Sequence, residues 1–132
     1  MLATDIDERV LDKAKVGVYS EEEMNSVPLE WRSKYFEPVS KGYRVRDELR
    51  QCVSFQKMNL LSDEFPKDVN LVACRNVLIY FTDEAKQMLY FKIRESLAPK
   101  GVLFTGEAEQ LVFYKSFSFE KICNFLYSNT DV

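Results

Sequence analysis

Residues 69–81 constrain the fold of this chain more than any other stretch. The run from Val69 to Ala73 is apolar apart from Asn70, which is typical of a buried strand in a parallel sheet. It is followed by an arginine, an asparagine and, five residues after the arginine, a tyrosine: Arg75, Asn76 and Tyr80. Because ligands bind at the carboxyl ends of strands in open α/β sheets, these side chains are candidates for a site. The alternatives are a plain strand-to-turn transition at Arg75 and Asn76, and a core position for Tyr80.

The composition indicates one globular domain and excludes several classes of protein. The chain is 46% hydrophobic, 14% aromatic and 30% charged, with a net charge of −3. This charge argues against nucleic acid as a partner. No run reaches the roughly 18 apolar residues that span a bilayer, so direct membrane insertion is not expected. The N-terminus has no basic region followed by an apolar one, and we therefore expect no signal peptide and a cytoplasmic location.

The residue types present also limit the chemistry. The three cysteines, Cys52, Cys74 and Cys123, have no C-x-x-C spacing, which favours reduced thiols over a disulfide framework. The sequence contains no histidine. Histidine is the commonest general base, so any reaction catalysed here must proceed without imidazole, and we expect no metal site.

Strand and helix patterns alternate along the chain. A short apolar strand ends at Asp5, Asp7 caps a helix that stops at Gly17, and a further strand covers residues 52–57. Another helix begins at Thr82, and the strand Val102–Thr105 follows it. The apolar stripe predicted on that helix consists of Ala85, Met88, Leu89, Ile93 and Leu97. This order predicts a doubly wound α/β sheet.

Two segments are expected to depart from that alternation. Residues 35–53 read as an inserted antiparallel β-hairpin subdomain with a turn that contains Gly42. The aromatic-rich tail from Phe113 to Ser128 is predicted as a hairpin, with a helix as the alternative. The whole chain, residues 1–132, is interpreted as one partial domain that carries this insert.

Four segments in order resemble the CheR-type chemotaxis receptor methyltransferases. They are Ala-Thr-Asp-Ile-Asp at 3–7, Asn-Leu-Leu at 59–61, Cys-Arg-Asn-Val-Leu-Ile-Tyr-Phe at 74–81, and Leu-Ala-Pro-Lys-Gly-Val-Leu-Phe at 97–104. The resemblance implies a truncated Rossmann-like, class I methyltransferase sheet that uses S-adenosylmethionine. The implied substrate is a glutamate side chain of a chemoreceptor cytoplasmic domain, and the implied product is its methyl ester.

The resemblance also assigns roles to individual residues. Asp5 would hold the ribose hydroxyls, because a carboxylate offers two acceptor oxygens, although it could equally be a helix cap. Ile6 would lie against the adenine, and Asn59 and Leu60 would read its edge and pack on its face. Catalytic positions would be Arg75, which can position a carboxylate, and Tyr80, while Asn76 would line the cofactor. We expect the carboxyl-terminal ends of the three strands that carry Asp5, Asn59 and Arg75 to converge on one adenosine-shaped hollow.

The sequence departs from the family pattern in three respects. The family's glycine-rich motif after its first strand is absent, as is its N-terminal helical domain, which indicates a C-terminal fragment that is inactive alone. Gly106-Glu-Ala-Glu109 stands where the family usually has Gly-His-Ser-Glu, so Glu107 replaces a histidine and Glu109 matches. The missing strand predicts an unpaired sheet edge and self-association. The alternative function is a non-catalytic module that binds a receptor tail or a nucleoside.

Overall fold

Short helices and strands alternate through the computed structural model, which describes residues 1–111 and 113–130. The chain divides into two units, a first unit of residues 1–59 and a second unit of residues 60–132. Both contain helices and strands, as expected for an α/β protein. Among the residues described, no helix has the length and apolar character needed to cross a bilayer.

The first unit contains nine elements. They are β1 (Leu2–Asp5), α1 (Glu8–Val16), β2 (Val18–Tyr19), α2 (Glu21–Met24), α3 (Leu29–Tyr35), β3 (Phe36–Val39), β4 (Gly42–Val45), α4 (Asp47–Arg50) and β5 (Ser54–Lys57).

Local signals set both ends of α1 as the sequence predicts, and a further local signal begins α2. Asp7 caps α1 by accepting a hydrogen bond from the Arg9 amide at 2.9 Å. Gly17 ends the same helix in the left-handed conformation, with φ of 67°, and its amide bonds the Lys13 carbonyl. Ser20 and Glu23 form a reciprocal capping box at the start of α2.

The strands of the first unit form two sheets. β1 and β5 pair in parallel, with Asp5 opposite Lys57. β3 and β4 form an antiparallel hairpin, with Val39 opposite Gly42, and β2 joins the other side of β4. The hairpin thus lies where the pattern of residues 35–53 indicates one, and its status as an insert in a larger fold stays a prediction.

The second unit is built around a four-stranded mixed sheet and one long helix. Its elements are β6 (Val69–Cys74), a 3₁₀ turn (Leu78–Tyr80), α5 (Asp83–Ser96), β7 (Leu97–Thr105), two further 3₁₀ turns (Glu107–Glu109 and Tyr114–Phe117), β8 (Phe119–Cys123) and β9 (Leu126–Asn129). The strand order is β6-β7-β9-β8. β6 and β7 are parallel, whereas β9 is antiparallel to both of its neighbours. The predicted tail hairpin is confirmed as β8 and β9.

The core of the second unit lies between α5 and the sheet. Leu89 and Ile93 of α5 are buried together with Leu103 of β7 and Tyr127 of β9.

Three details of the sequence prediction are wrong. Met88 is 47% exposed and lies off the buried stripe. β7 begins at Leu97, which was expected on the helix, and not at Val102; its ladder with β6 skips from Leu97 to Val102.

The third detail is the burial of β6, for which the apolar run predicts a buried strand. It is an edge strand of its sheet, and Leu71 is 60% exposed, whereas Cys74 at its end is buried. An apolar run alone therefore overestimated burial, because a run of residues does not reveal whether a strand has neighbours on both sides.

Candidate functional site

The first unit places two predicted adenosine contacts side by side. Asp5 ends β1 and Asn59 follows β5, and because these strands are parallel both residues lie at the same carboxyl end. The Met58 amide, one residue before Asn59, donates to the Asp5 carbonyl at 3.0 Å. The strand pairing therefore brings the carboxylate and the amide to one edge.

The carboxylate of Asp5 is partly committed to its own chain. One oxygen, Oδ1, accepts a hydrogen bond from the Asp7 amide at 2.8 Å, a local bond that shapes the turn into α1. Ile6 lies between these two aspartates, and its side chain is exposed. An exposed apolar side chain beside a half-buried carboxylate fits the edge of a nucleoside, which presents a flat apolar base and hydroxyl groups.

Leu60 has a different environment in the second unit. Its side chain packs against the hydrophobic core of that unit, and its carbonyl accepts a hydrogen bond from Lys92 Nζ at 2.8 Å. The predicted contact of Leu60 with the adenine face stays a prediction.

Arg75 is the first residue of the second unit's candidate site. It directly follows Cys74, the last residue of β6, and its guanidinium lies over the ring of Phe104 on β7, 5.2 Å from the ring centroid. The side chain is exposed, and no described residue forms a salt bridge with it. A guanidinium held on an aromatic face keeps its donors available for a carboxylate.

Asn76 and Tyr80 continue the same segment. Asn76 adopts the left-handed backbone conformation, with φ of 57°, which asparagine tolerates better than most residues. Tyr80 lies at the end of the 3₁₀ turn and is 80% exposed. A core position for this ring is therefore excluded, and its hydroxyl is accessible to a ligand.

The backbone of this segment is held by a buried carboxylate, that of Glu109, which is only 5% exposed. Its Oε1 accepts hydrogen bonds from the amides of Val77 and Leu78, each at 2.6 Å. Its Oε2 accepts from the Asn76 amide at 2.6 Å and from the Gly106 amide at 3.2 Å. We call this arrangement of Glu109 and the four amides of residues 76, 77, 78 and 106 the carboxylate clamp.

Two further polar groups lie in the interior beside the clamp. Burial, followed by the nearby Glu109 carboxylate, raises the pKa of the Cys74 thiol to about 11. Burial also raises the pKa of Tyr90 to about 12, with smaller contributions from Cys74, Glu109 and Tyr127. Cys74 is thus a neutral thiol at physiological pH, and its low thiolate fraction argues against a nucleophilic role.

The clamp was missed by sequence reasoning, which noted Glu109 only as a match to the family. A signal for it exists, because Glu109 comes three residues after Gly106, the residue that follows the strand, and this is the spacing of a capping box. In the structure Glu109 bonds back to the Gly106 amide, as that spacing suggests. Glu107, which stands where the family usually has histidine, is exposed in the same turn.

Comparison with known proteins identifies the family. The family model described as "CheR methyltransferase, SAM binding domain" matches residues 1–125. The chain belongs to this family. Its resemblance in four segments is thereby confirmed, and S-adenosylmethionine is the cofactor that the family domain indicates.

Curated relatives of this chain include chemotaxis protein methyltransferases. A chemotaxis protein methyltransferase of Listeria innocua is 35% identical over 130 residues, covering 98% of this chain and 50% of the relative. One of Escherichia coli is 36% identical over 115 residues, covering 83% and 40%. The chain therefore spans half or less of the length of these CheR relatives.

One solved structure has a similar fold. A possible exported protein from Bordetella parapertussis superposes with a TM-score of 0.51 at 16% identity, covering 79% of this chain and 26% of that one. At this identity the likeness concerns the fold alone.

Proposed function

We propose that this chain supplies part of a CheR-type, S-adenosylmethionine-dependent methyltransferase that esterifies glutamate side chains of chemoreceptors. Within a Rossmann-like, class I sheet, the chain would provide the contacts to adenosine and the wall that faces the acceptor. The observation that carries the proposal is the shared position of Asp5 and Asn59 at the carboxyl end of one parallel strand pair. It is supported by the family match over residues 1–125.

The proposed reaction needs little acid–base chemistry from the protein. The cofactor, when bound, supplies a methyl group on a sulfonium. An acceptor glutamate with an ordinary pKa of about 4.3 is already ionised at neutral pH, so no base has to remove a proton. The sequence has no histidine, which is compatible with this requirement. The contribution of the protein is then mainly alignment, which can lower a barrier by roughly 7–11 kcal/mol in well-oriented systems.

The chain's own residues divide this work. Asp5 would accept hydrogen bonds from the ribose hydroxyls, Asn59 would bind the edge of the base, and Ile6 would lie against the base. Cofactor contacts of Leu60 and Asn76 are proposed from the family resemblance alone. Arg75 would orient the acceptor carboxylate with guanidinium donors that no described acidic side chain uses. Tyr80 would direct its exposed hydroxyl at the same acceptor or at the sulfonium.

A titration that separates the two ends of the cofactor tests this proposal. The sequence contains no glycine-rich loop for the methionine end, so adenosine should bind nearly as well as S-adenosylhomocysteine, and homocysteine should not bind. We expect affinities of about millimolar, equivalent to roughly −4 kcal/mol. The binding is followed by amide chemical shifts of isotope-labelled protein, with the largest changes at Ile6 and Asn59.

A matched pair of variants sharpens the titration. Asp5→Asn keeps an Oδ1 acceptor for the Asp7 amide but removes the charge, and it should weaken adenosine binding roughly tenfold or more. Asp12→Asn removes the same charge from an exposed position on α1 and should leave binding unchanged. Absence of shifts at Ile6 and Asn59 with millimolar adenosine would refute the proposal.

The second candidate is a non-catalytic module that binds a receptor tail. β3 is the edge strand of its three-stranded sheet, and an edge strand can accept a peptide as a further strand. The same spectra decide between the candidates, because a tail peptide would shift the amides of β3 and leave Ile6 unaffected. Self-association through β6, one of the two edge strands of the sheet in the second unit, is a separate proposal that sedimentation of the purified chain would test.

A further inference from the structure

We propose that Glu109 is a positioning residue of the methyl-transfer site, whose clamp holds residues 75–80 so that Arg75 and Tyr80 face the acceptor. This inference rests on the proposed function, since it assigns those two side chains to the reaction. Glu109 itself is buried and contacts the backbone, so it would act through its neighbours and not on the substrate.

The chemistry of the clamp requires an ionised carboxylate. Three consecutive amides, those of Asn76, Val77 and Leu78, donate to its two oxygens, and the Gly106 amide adds a fourth donor. A carboxylate has only acceptor atoms, so each oxygen can serve two donors. A glutamine would turn an NH₂ group towards two of these amides. Hydrogen bonds to a charged acceptor are also shorter and stronger than neutral ones.

The clamp holds the turn at Asn76. Asn76 has a φ of 57°, a left-handed conformation that asparagine tolerates better than most residues but that the chain adopts less readily than a right-handed one. The Asn76 amide is one of the donors to Glu109 Oε2. The turn at residue 76 redirects the chain immediately after Arg75, so the clamp fixes the point from which the arginine side chain leaves the backbone.

The segment held by the clamp has one buried side chain between two exposed ones. Leu78 is buried in the core of the second unit and fixes the middle of the segment. Arg75 before it and Tyr80 after it are exposed. Arg75 is also restrained by the ring of Phe104. Tyr80 thus presents an exposed ring and hydroxyl at the end of the anchored turn, where the proposal assigns it to the acceptor.

The test is a comparison of Glu109→Gln with Glu120→Gln in the full chain. Both variants remove one negative charge from the second unit, but Glu120 is exposed on β8 and lies outside the clamp. We expect Glu109→Gln to accelerate amide hydrogen exchange at residues 76–78 on the order of tenfold to a hundredfold, the range for losing hydrogen bonds to a charged acceptor. The order parameter of the Arg75 Nε–Hε vector should fall as well.

Three results would overturn the proposal. The first is unchanged exchange at residues 76–78 in Glu109→Gln. The second is an equal loss of protection throughout β6 and β7, or failure to fold, which would make Glu109 a general stabiliser of the unit. The third is the same effect in Glu120→Gln. Glu109→Asp, which keeps the charge on a shorter side chain, should restore part of the protection that glutamine loses.

These measurements need no cofactor, so their outcome does not depend on whether the chain binds adenosine. If adenosine causes no shifts at Ile6 and Asn59, the proposed function is refuted and the role of the clamp is not. If hydrogen exchange at residues 76–78 is unchanged in Glu109→Gln, the role of the clamp is refuted and adenosine binding is not.

Discussion

Gly106→Ala should destabilise the second unit by displacing the clamp, and the structure allows the cost to be worked out. A Cβ built on Gly106 lies 2.8 Å from Glu109 Oε2, closer than such atoms approach in folded proteins, and makes a tight contact of 3.0 Å with Asn76 Oδ1. The backbone of Gly106 has φ of −81° and ψ of 165°, which alanine adopts without strain. The penalty therefore comes from displacing neighbouring side-chain atoms, chiefly the Glu109 carboxylate, which is the closer of the two.

The magnitude follows from the hydrogen bonds that this movement breaks. Oε2 accepts from the amides of Asn76 and Gly106, and hydrogen bonds to charged groups contribute about 1.5–3 kcal/mol each. Partial loss of both costs about 3 kcal/mol. Replacing glycine also restricts the unfolded chain, which offsets roughly 0.4–1 kcal/mol. The net decrease in the free energy of unfolding is about 2–3 kcal/mol, or a melting temperature lower by roughly 8–24 °C for a unit of this size.

A double-mutant cycle identifies the cause of that loss. In a Glu109→Ala background the space of the carboxylate is vacated, so Gly106→Ala should cost less than about 0.5 kcal/mol. The free energy of unfolding is read from hydrogen exchange of the slowest amides of β7, which report on the second unit. An equal cost of Gly106→Ala in both backgrounds would refute the reasoning, because the added methyl group would then be clashing with something other than Glu109.

Three further outcomes are expected. Leu89→Ala should cost about 2–5 kcal/mol of stability, since Leu89 is fully buried, whereas Met88→Ala should cost about 1 kcal/mol or less; equal costs in urea unfolding would contradict the assigned core. Thr105→Val should stabilise by up to about 1 kcal/mol in the same assay, because the Thr105 hydroxyl is buried with no partner among the described residues, and a clear loss would reveal one. Stability should fall above about pH 9, because burial raises the pKa of Cys74 from 9.0 to about 11 and that of Tyr90 from 10.0 to about 12. The unfolded state then loses these protons first, so the stabilisation is complete below pH 9 and declines towards pH 12. Cys74→Ala should keep only the later part of this decline, and an unchanged profile would exclude the thiol.

The elements that sequence reasoning predicted well are those whose causes are local. Asp7 and Gly17 act within a few residues of the helix ends that they define, so their residue types carry the information directly. The β3–β4 hairpin and the tail hairpin likewise depend on alternation around a short turn. The segments around Asp5, Asn59 and Arg75 predicted the family, which the comparison confirmed.

The parts that escaped prediction depend on contacts between distant residues. Glu109 bonds the Asn76 amide across 33 positions of the chain, and nothing in the composition of either segment specifies that pairing. Leu71 lies on the opposite face of β6 from Val72 and Cys74, which contact the core, and an apolar run cannot show which face is covered. The exposure of Tyr80 is set by the turn that follows the clamp, so the residue type alone left both a core and a surface position open.

The candidate cofactor contacts and the candidate catalytic residues are positioned by different interactions, so their contributions can be measured separately. Asp5 and Asn59 are placed by strand pairing, which a substitution of either side chain leaves in force. Arg75 and Tyr80 are placed by a buried charge, so removing that charge releases them without touching either residue. Because alignment is the main resource of a methyl transfer without acid–base catalysis, rigidity around Arg75 should matter as much as its charge. A loss of order at Arg75 in Glu109→Gln, with the shifts at Ile6 preserved, would be the signature of that division.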